Sequence, residues 1–349
     1  MQSHRWTKHF LSRGISSYCI AQESSKLAED LKKEQTPHFT VKGGKYFSPT
    51  TTRQLRKILT DLEPRAIILH HLKDLWLVVP ALQGSEKLIG FARMFLKKHK
   101  KKGPLHRYLY GKLHKMIHIS ENQKTHLIQC LPVNEKKYVF IPNGVNLQKF
   151  TPENRSLSLH RELGLETDSL VVGIIGRLDP QKGQLETIKG FKSSCLKNPN
   201  VNAHLVIIGN RTEGEYEDYE KTIRLEAEEL SDKIHFLGYR SDIPNLMADL
   251  DIFVLASYEE TFGNVVLESL ASGVCTLVTQ SGGAQEIISD NSSGLYIQPR
   301  SADSIAQKLN ELFIAQEKIS EFKQKARTRA EEHYDIEKIK DQVINTVET

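Results

Sequence analysis

Cysteine is scarce in this chain of 349 residues: there are four, at positions 19, 130, 195 and 275, with no CxxC pair among them. That argues against a zinc site and a disulfide framework and suits a reducing compartment, so a cytoplasmic protein is expected. No stretch approaches the roughly 20 consecutive apolar residues of a membrane-crossing helix. The opening MQSHRWTKHF has no apolar core, so no secretory leader is expected there. The Walker pattern GxxxxGKS/T is absent. So are a helix-turn-helix signature and the interleaving of aromatic with basic residues that RNA-binding sheets use, which argues against nucleic acid as a partner.

Acidic residues are sparse in one part of the chain. Residues 1–150 hold 27 Lys and Arg against 10 Asp and Glu, a charge of +17, which leaves −12 for the remainder and +5 overall. Ten of the 14 histidines also lie in the first part. Opposite signs predict two domains with different duties, the first facing something anionic. The boundary is expected in the turn-rich IPNGVNLQKFTPENRS (141–156), giving domains over 1–150 and 151–333 and a C-terminal helix over 334–349 that packs back on the first.

Apolar runs of strand length recur, each followed by a segment of helical periodicity. ISSYCI (15–20), RAIILH (65–70) and KMIHIS (115–120) do so in the first part. LVVGIIG (170–176), AHLVIIG (203–209), KIHFLG (233–238), DIFVLAS (251–257) and VCTLVT (274–279) do so more clearly in the second. This alternation predicts an α/β fold of two doubly wound parallel sheets facing across a cleft. Ligands of such sheets sit at the carboxyl ends of the strands.

Two loops there carry charge in a suggestive pattern. After LVVGIIG come Gly176-Arg177-Leu178-Asp179-Pro180-Gln181-Lys182-Gly183 and a helical stretch. Two cations beside a helix start form an anion site, for which phosphate is the usual occupant, although the same charges suit a solvated turn. After DIFVLAS come Tyr258-Glu259-Glu260-Thr261-Phe262-Gly263-Asn264-Val265, with Glu268 on the helix that follows. N–H groups at Gly263–Val265 can hold a diphosphate, while two carboxylates facing hydroxyls can hold a sugar and a ribose. Each glutamate alone is equally an exposed helix residue or a dipole partner.

In order, IPNGVNLQKF (141–150), GRLDPQKG (176–183), LVIIGN (205–210), IHFLGYRSDIPNLMADLDIFVLAS (234–257), EETFGNVVLESLASGV (259–274) and GGAQEII (282–288) resemble the retaining GT-B glycosyltransferases of family 4, the group around lipopolysaccharide and mannosyl transferases. KLAEDLKKE, AIILHHLKDLWLVVPAL and HRYLYGKLHKMIHIS are similar more loosely. The resemblance implies two Rossmann-like domains and transfer of a sugar from a nucleotide diphosphate to a hydroxyl of a glycolipid or glycan, with anomeric configuration kept and no metal or other cofactor. It implies catalytic or diphosphate-binding roles for Arg177 and Lys182, with Gly176 beside them. Glu260, a further catalytic candidate, would hold the donor sugar with Thr261 and the backbone of Phe262, Gly263, Asn264 and Val265. Glu268 would hold the ribose, and Gly209, Asn210, Tyr239 and Arg240 would lie near the base. Asp249-Leu250-Asp251 is a DxD in letters only, expected to connect a helix to a strand.

Two departures from that pattern stand out. The family's first strand and Gly-Gly loop have no counterpart before HFLSRGISSYCI, so an interrupted first sheet is expected. A catalytically impaired nucleotide-sugar-binding protein is the alternative reading. Where relatives place a histidine in the first domain, Arg93 stands here, and His70 and His71 are further acceptor-side candidates. The basic run Lys97–Lys102 suggests docking on an anionic membrane surface near the acceptor.

Overall fold

The structure, a computed structural model, describes residues 2–43, 46–94, 101–288 and 292–348. Its contacts form two compact units, Met1–Pro142 with Lys338–Thr349, and Asn143–Glu337. The division precedes the expected 150/151 because residues 143–150 are tied to the second unit. Val145 donates to the Tyr334 carbonyl (2.8 Å), and Arg327 Nη1 donates to the Phe150 carbonyl (3.0 Å). Residues from Lys338 onward belong with the first unit, where Arg13 pairs with Asp341 at 2.9 Å and Lys87 donates to the Glu348 carbonyl at 2.9 Å.

Among the described residues the first unit contains the strands β1 (Cys19–Gln22), β2 (His38–Val41), β3 (Ala66–Leu69), β4 (Lys87–Phe91), β5 (Lys115–His118) and β6 (Tyr138–Phe140). All pair in parallel, but in two sheets, β1-β2 and β3-β4-β5-β6. One doubly wound sheet was expected, with an interruption. Among the described residues β1 and β3 share no ladder, yet Val41 of β2, Leu69 of β3, Leu88 of β4 and Met116 of β5 lie in one apolar core, with Ile20 of β1 packed against it. The DLWLVVPAL stretch is no single helix. It runs as a 3₁₀ turn, one α-turn Leu75–Val78 and a second 3₁₀ turn, Val79–Ala81, since Pro80 lacks the N–H that would continue an α-helix.

The second unit contains β7 (Leu170–Ile175), β8 (Ala203–Ile208), β9 (Ile234–Gly238), β10 (Ile252–Leu255), β11 (Cys275–Thr279) and β12 (Leu295–Ile297). They form one parallel sheet in the order β12-β11-β10-β7-β8-β9. β10 and β11 are buried along their whole length, the mark of strands covered on both faces, which accounts for the wholly apolar IFVL of β10 and the mostly apolar CTLVT of β11. Phe191 and Ile188 of the helix Gln184–Lys197, and Ile305, Leu309 and Leu312 of Ala302–Ile314, pack into the same core as Val172, Leu205 and Val254. The charge pair in Asp249-Leu250-Asp251 is structural. Asp249 accepts from the N–H groups of Ser156, Leu157 and Leu159 and from Ser158 Oγ, and Asp251 pairs with Arg155 (3.2 Å) and Lys323 (2.6 Å). Among the described residues no helix is long and apolar enough to cross a membrane.

Candidate functional site

From β7 the sheet grows outward through β8 to β9, and from β10 it grows the other way through β11 to β12. The loops leaving β7 and β10 therefore diverge to opposite sides and open a crevice at the carboxyl edge, the usual ligand position in such sheets. A cavity of about 260 Å³ lies there, lined among others by Gly176, Arg177, Lys182, Ser257, Glu260 and Val265. The two sequence motifs that carried charge thus meet at one place.

The loop after β7 is built to present its cations. Asp179 caps the 3₁₀ turn Pro180–Lys182 by accepting from the Gln181 N–H (2.9 Å), and pairs with Arg177 Nη2 at 2.7 Å. Gln184 Nε2 donates to the Arg177 carbonyl (2.8 Å), and Tyr219 OH donates to Gln184 Oε1 (3.1 Å). Gly183 sits at φ +73°, where a Cβ would lie 2.3 Å from the Ala256 carbonyl oxygen, so the loops after β7 and β10 touch only because this residue is glycine.

The loop after β10 presents Glu260. Its carboxylate Oε1 accepts from Lys182 Nζ and from Ser257 Oγ (3.1 Å), and its carbonyl accepts from the Gly283 N–H (2.8 Å). Gly282 passes so close beneath that a Cβ would stand 2.1 Å from the Glu260 carbonyl oxygen. Sequence reasoning assigned Lys182 and Glu260 to different ligand groups. In the folded chain they hold each other, and Arg177 is likewise held by Asp179. Ser257, Gln184 and Tyr219 were missed. Ser257 had a signal, being a hydroxyl at a strand's carboxyl end, but the roles of Gln184 and Tyr219 depend on contacts 35 residues apart.

Gly263 caps the helix Asn264–Ala271 in the left-handed region (φ +89°), and Asn264 Oδ1 accepts from Asn143 Nδ2 (2.9 Å). The first N–H groups of a helix lack intrahelical partners and mark its positive end. Phe262 is buried against the Tyr334 ring (6.4 Å). On the same helix Glu268 is mostly buried, and burial pushes its carboxyl up from 4.5 to about 7, with Lys149 pulling weakly the other way. Gly209 and Asn210 follow β8, and the Asn210 carbonyl accepts from the Leu178 N–H (3.1 Å), which brings them beside the loop after β7. Tyr239 is 76 % exposed. Arg240 is not presented freely. Its guanidinium is divided between Asp242 (2.9 and 2.7 Å) and Glu162 (2.7 and 2.9 Å), hydrogen bonds that raise its pKa.

In the first unit, His70 follows β3 and Arg93 lies two residues past β4, so both stand at the carboxyl edge of adjacent strands. His71 is exposed. Of the basic run, Lys97, Lys98, His99 and Lys100 lie outside the described residues, whereas Lys101 and Lys102 precede the helix Pro104–Gly111.

Residues 157–329 match the family model for glycosyl transferases group 1, and residues 3–149 match that for glycosyltransferase family 4. The chain is 31% identical over 196 residues to the Escherichia coli UDP-Gal:alpha-D-GlcNAc-diphosphoundecaprenol alpha-1,3-galactosyltransferase, covering 56% of this chain and 50% of that protein. It is 30% identical over 180 residues to the lipopolysaccharide 1,2-N-acetylglucosaminetransferase of Salmonella typhimurium, covering 49% and 46%. The chain thus spans about half the length of these curated relatives. Among solved structures, a glycosyltransferase from Rickettsia africae superposes with a TM-score of 0.84 at 19% identity, over 99% of this chain and 93% of that one. Anabaena Alr3699/HepE in complex with UDP and glucose gives 0.76 at 21%, over 100% and 96%. Both likenesses are of fold.

Proposed function

The chain belongs to the family 4 glycosyltransferases, with their GT-B fold, and from that premise we propose that it moves a sugar from a nucleoside diphosphate to an acceptor hydroxyl with retention of configuration. The bond from the anomeric carbon to the diphosphate oxygen breaks, a bond to the acceptor oxygen forms, and the acceptor's proton passes to the departing diphosphate. The observation that carries this reading is the meeting of Arg177, Lys182 and Glu260 in the crevice after β7 and β10. A diphosphate entering there exchanges the Asp179 and Glu260 carboxylates for its own oxygens as partners of the two cations. Glu260, released from Lys182, is then free to accept from sugar hydroxyls. The cations neutralise charge that develops on the leaving group, a task a divalent ion performs in other transferases. Similarity to Alr3699/HepE, solved with UDP and glucose, supports a nucleotide-sugar donor.

The test is a panel of nucleotide sugars followed by release of nucleoside diphosphate, with and without a chelator. Lys182→Ala is expected to lower turnover about 100- to 1,000-fold, the usual effect of removing one charge-stabilising donor. Turnover unchanged in both Lys182→Ala and Glu260→Ala removes the crevice from consideration, and loss of turnover on chelation removes metal independence. Tight nucleotide binding without any turnover supports the impaired-enzyme alternative.

For the acceptor, the E. coli and Salmonella relatives act, by their names, on a diphosphoundecaprenol-linked sugar and on lipopolysaccharide. A glycolipid acceptor and peripheral docking at an anionic membrane surface suit the +17 of residues 1–150. Equal recovery with neutral and anionic vesicles in flotation refutes the docking.

A further inference from the structure

Arg93 is a half-buried cation without a counter-ion among the described residues. Its Nε and Nη2 are inaccessible and, among the described residues, neither has a hydrogen-bond partner and no carboxylate pairs with the group. These two atoms are the donors of one edge of the guanidinium, the edge that grips two oxygens of an oxyanion side by side. The flat face of the group lies on aromatic rings, 4.1 Å from the centre of Phe91 and 5.8 Å from that of Trp6, which fixes its plane. His70 stacks on the same Phe91 ring (6.3 Å between centroids, 15° between planes), and its Nδ1 is also buried without a partner. Burial leaves His70 neutral, with a pKa pushed down to about 3, while Arg93, lowered to about 10, keeps its charge. The loop bearing Arg93 is anchored by Gln123, whose Nε2 donates to the Met94 carbonyl at 3.3 Å. Met94 itself is 69 % exposed.

Unpaired buried donors are destabilising, and side chains that could have served the packing without them are abundant. Three such atoms belong to two residues that pack on the same Phe91 ring, after β3 and β4, at the edge of a parallel sheet where ligands sit. We propose that Arg93 and His70 form a receptor for a phosphate group of the acceptor, Arg93 binding two of its oxygens and His70 a third. A planar carboxylate offers only two oxygens, whereas a terminal phosphate offers three. This deepens the reading of the chain as a glycosyltransferase, and rests on it for the word acceptor. The phosphate site itself does not depend on that reading.

The two tryptophans, Trp6 and Trp76, make the test direct. Trp76→Phe leaves Trp6, beside Arg93, as the sole indole. Titration of that full-length variant with inorganic pyrophosphate, at constant ionic strength set by chloride, is expected to give a saturable change in Trp6 emission. Adding Arg93→Met, which keeps the apolar contact with Phe91 and removes the donors, is expected to weaken the response at least 10-fold without lowering the melting temperature. Arg93→Lys restores part of it. No response in the Trp76→Phe protein, or the same affinity with Arg93→Met, overturns the proposal. So does a lower melting temperature in Arg93→Met, because it makes Arg93 a structural cation. Lys182→Ala in the Trp76→Phe background separates the two readings. It abolishes binding of nucleoside diphosphate if the crevice holds the donor, and it leaves the Trp6 response to pyrophosphate intact. Loss of the Trp6 response with Lys182→Ala assigns the phosphate to the donor crevice and refutes the acceptor site.

Discussion

Glu268→Gln makes the sharpest test of the second unit. Desolvation holds this carboxyl at about 7 instead of 4.5, so its ionised form is disfavoured in the folded chain. A displacement of that size corresponds to about 3 kcal/mol at full effect, reduced to about 2 by the residue's partial exposure. The sign follows from proton binding. Below pH 4.5 both folded and unfolded chains are protonated here and the group costs nothing. Between 4.5 and 7 the folded chain holds the proton that the unfolded chain has lost, so stability falls as pH rises, and above 7 the penalty is constant. Replacing the carboxyl by an amide is therefore expected to leave the melting temperature unchanged near pH 4.5 and to raise it by about 4–8 °C at pH 8, for a unit of this size. A gain independent of pH, or one largest in acid, refutes the argument. A ligand whose hydroxyls donate to this carboxylate favours its ionised form. Nucleoside diphosphate binding near pH 6 is then expected to release a proton, which calorimetry in buffers of different ionisation enthalpy measures. The absence of such release places the ribose elsewhere.

Gly282→Ala is expected to destabilise the second unit by at least about 2 kcal/mol and to abolish nucleotide binding, because the new methyl meets the Glu260 carbonyl at 2.1 Å with φ at +59°; normal binding in titration calorimetry contradicts this. Asp249→Ala removes the acceptor of four hydrogen bonds from residues 156–159 and is expected to cost about 3 kcal/mol in chemical denaturation. Burial raises the Asp249 pKa, but the bonds from Ser158 and the backbone outweigh it and hold it below 3.8. This stabilisation is present above that value and is lost as pH falls through the folded pKa, so the difference between wild type and Asp249→Ala shrinks in acid. Arg240→Met, which frees Glu162 and Asp242, is expected to lower stability by about 1 kcal/mol while leaving the preference among uridine, guanosine and adenosine donors unchanged; a relaxed preference returns Arg240 to the base.

The second unit was legible because its central strands are covered on both faces, so their sequences are predominantly apolar runs. LVVGIIG, AHLVIIG, DIFVLAS and VCTLVT mark β7, β8, β10 and β11 to within two residues. The first unit was less so. HFTV and YVF, which form β2 and β6, are three or four residues long, and neither is uniformly buried, so neither stands out from the surrounding polar sequence. Pro80 broke a stretch whose apolar content reads as one helix.

What no local pattern carried is the state of the charges. Arg177, Lys182, Glu260 and Arg240 stood in the sequence as groups awaiting a ligand, yet in the folded chain each already has a partner of opposite sign. Lys182 and Glu260 are 78 residues apart and meet only because Gly183 lets one loop touch the other. Binding an anion there is consequently an exchange of partners, and its strength is the difference between phosphate and carboxylate as acceptors for the same lysine. Arg93 is the reverse case, an acceptor-side candidate standing where relatives place a histidine, which among the described residues has no partner to exchange. A phosphate bound at Arg93 displaces no carboxylate, whereas one bound at Lys182 must displace Glu260. Removing the competitor therefore has opposite consequences at the two places: Glu260→Gln is expected to tighten inorganic pyrophosphate binding in the crevice while leaving the response of Trp6 unaltered.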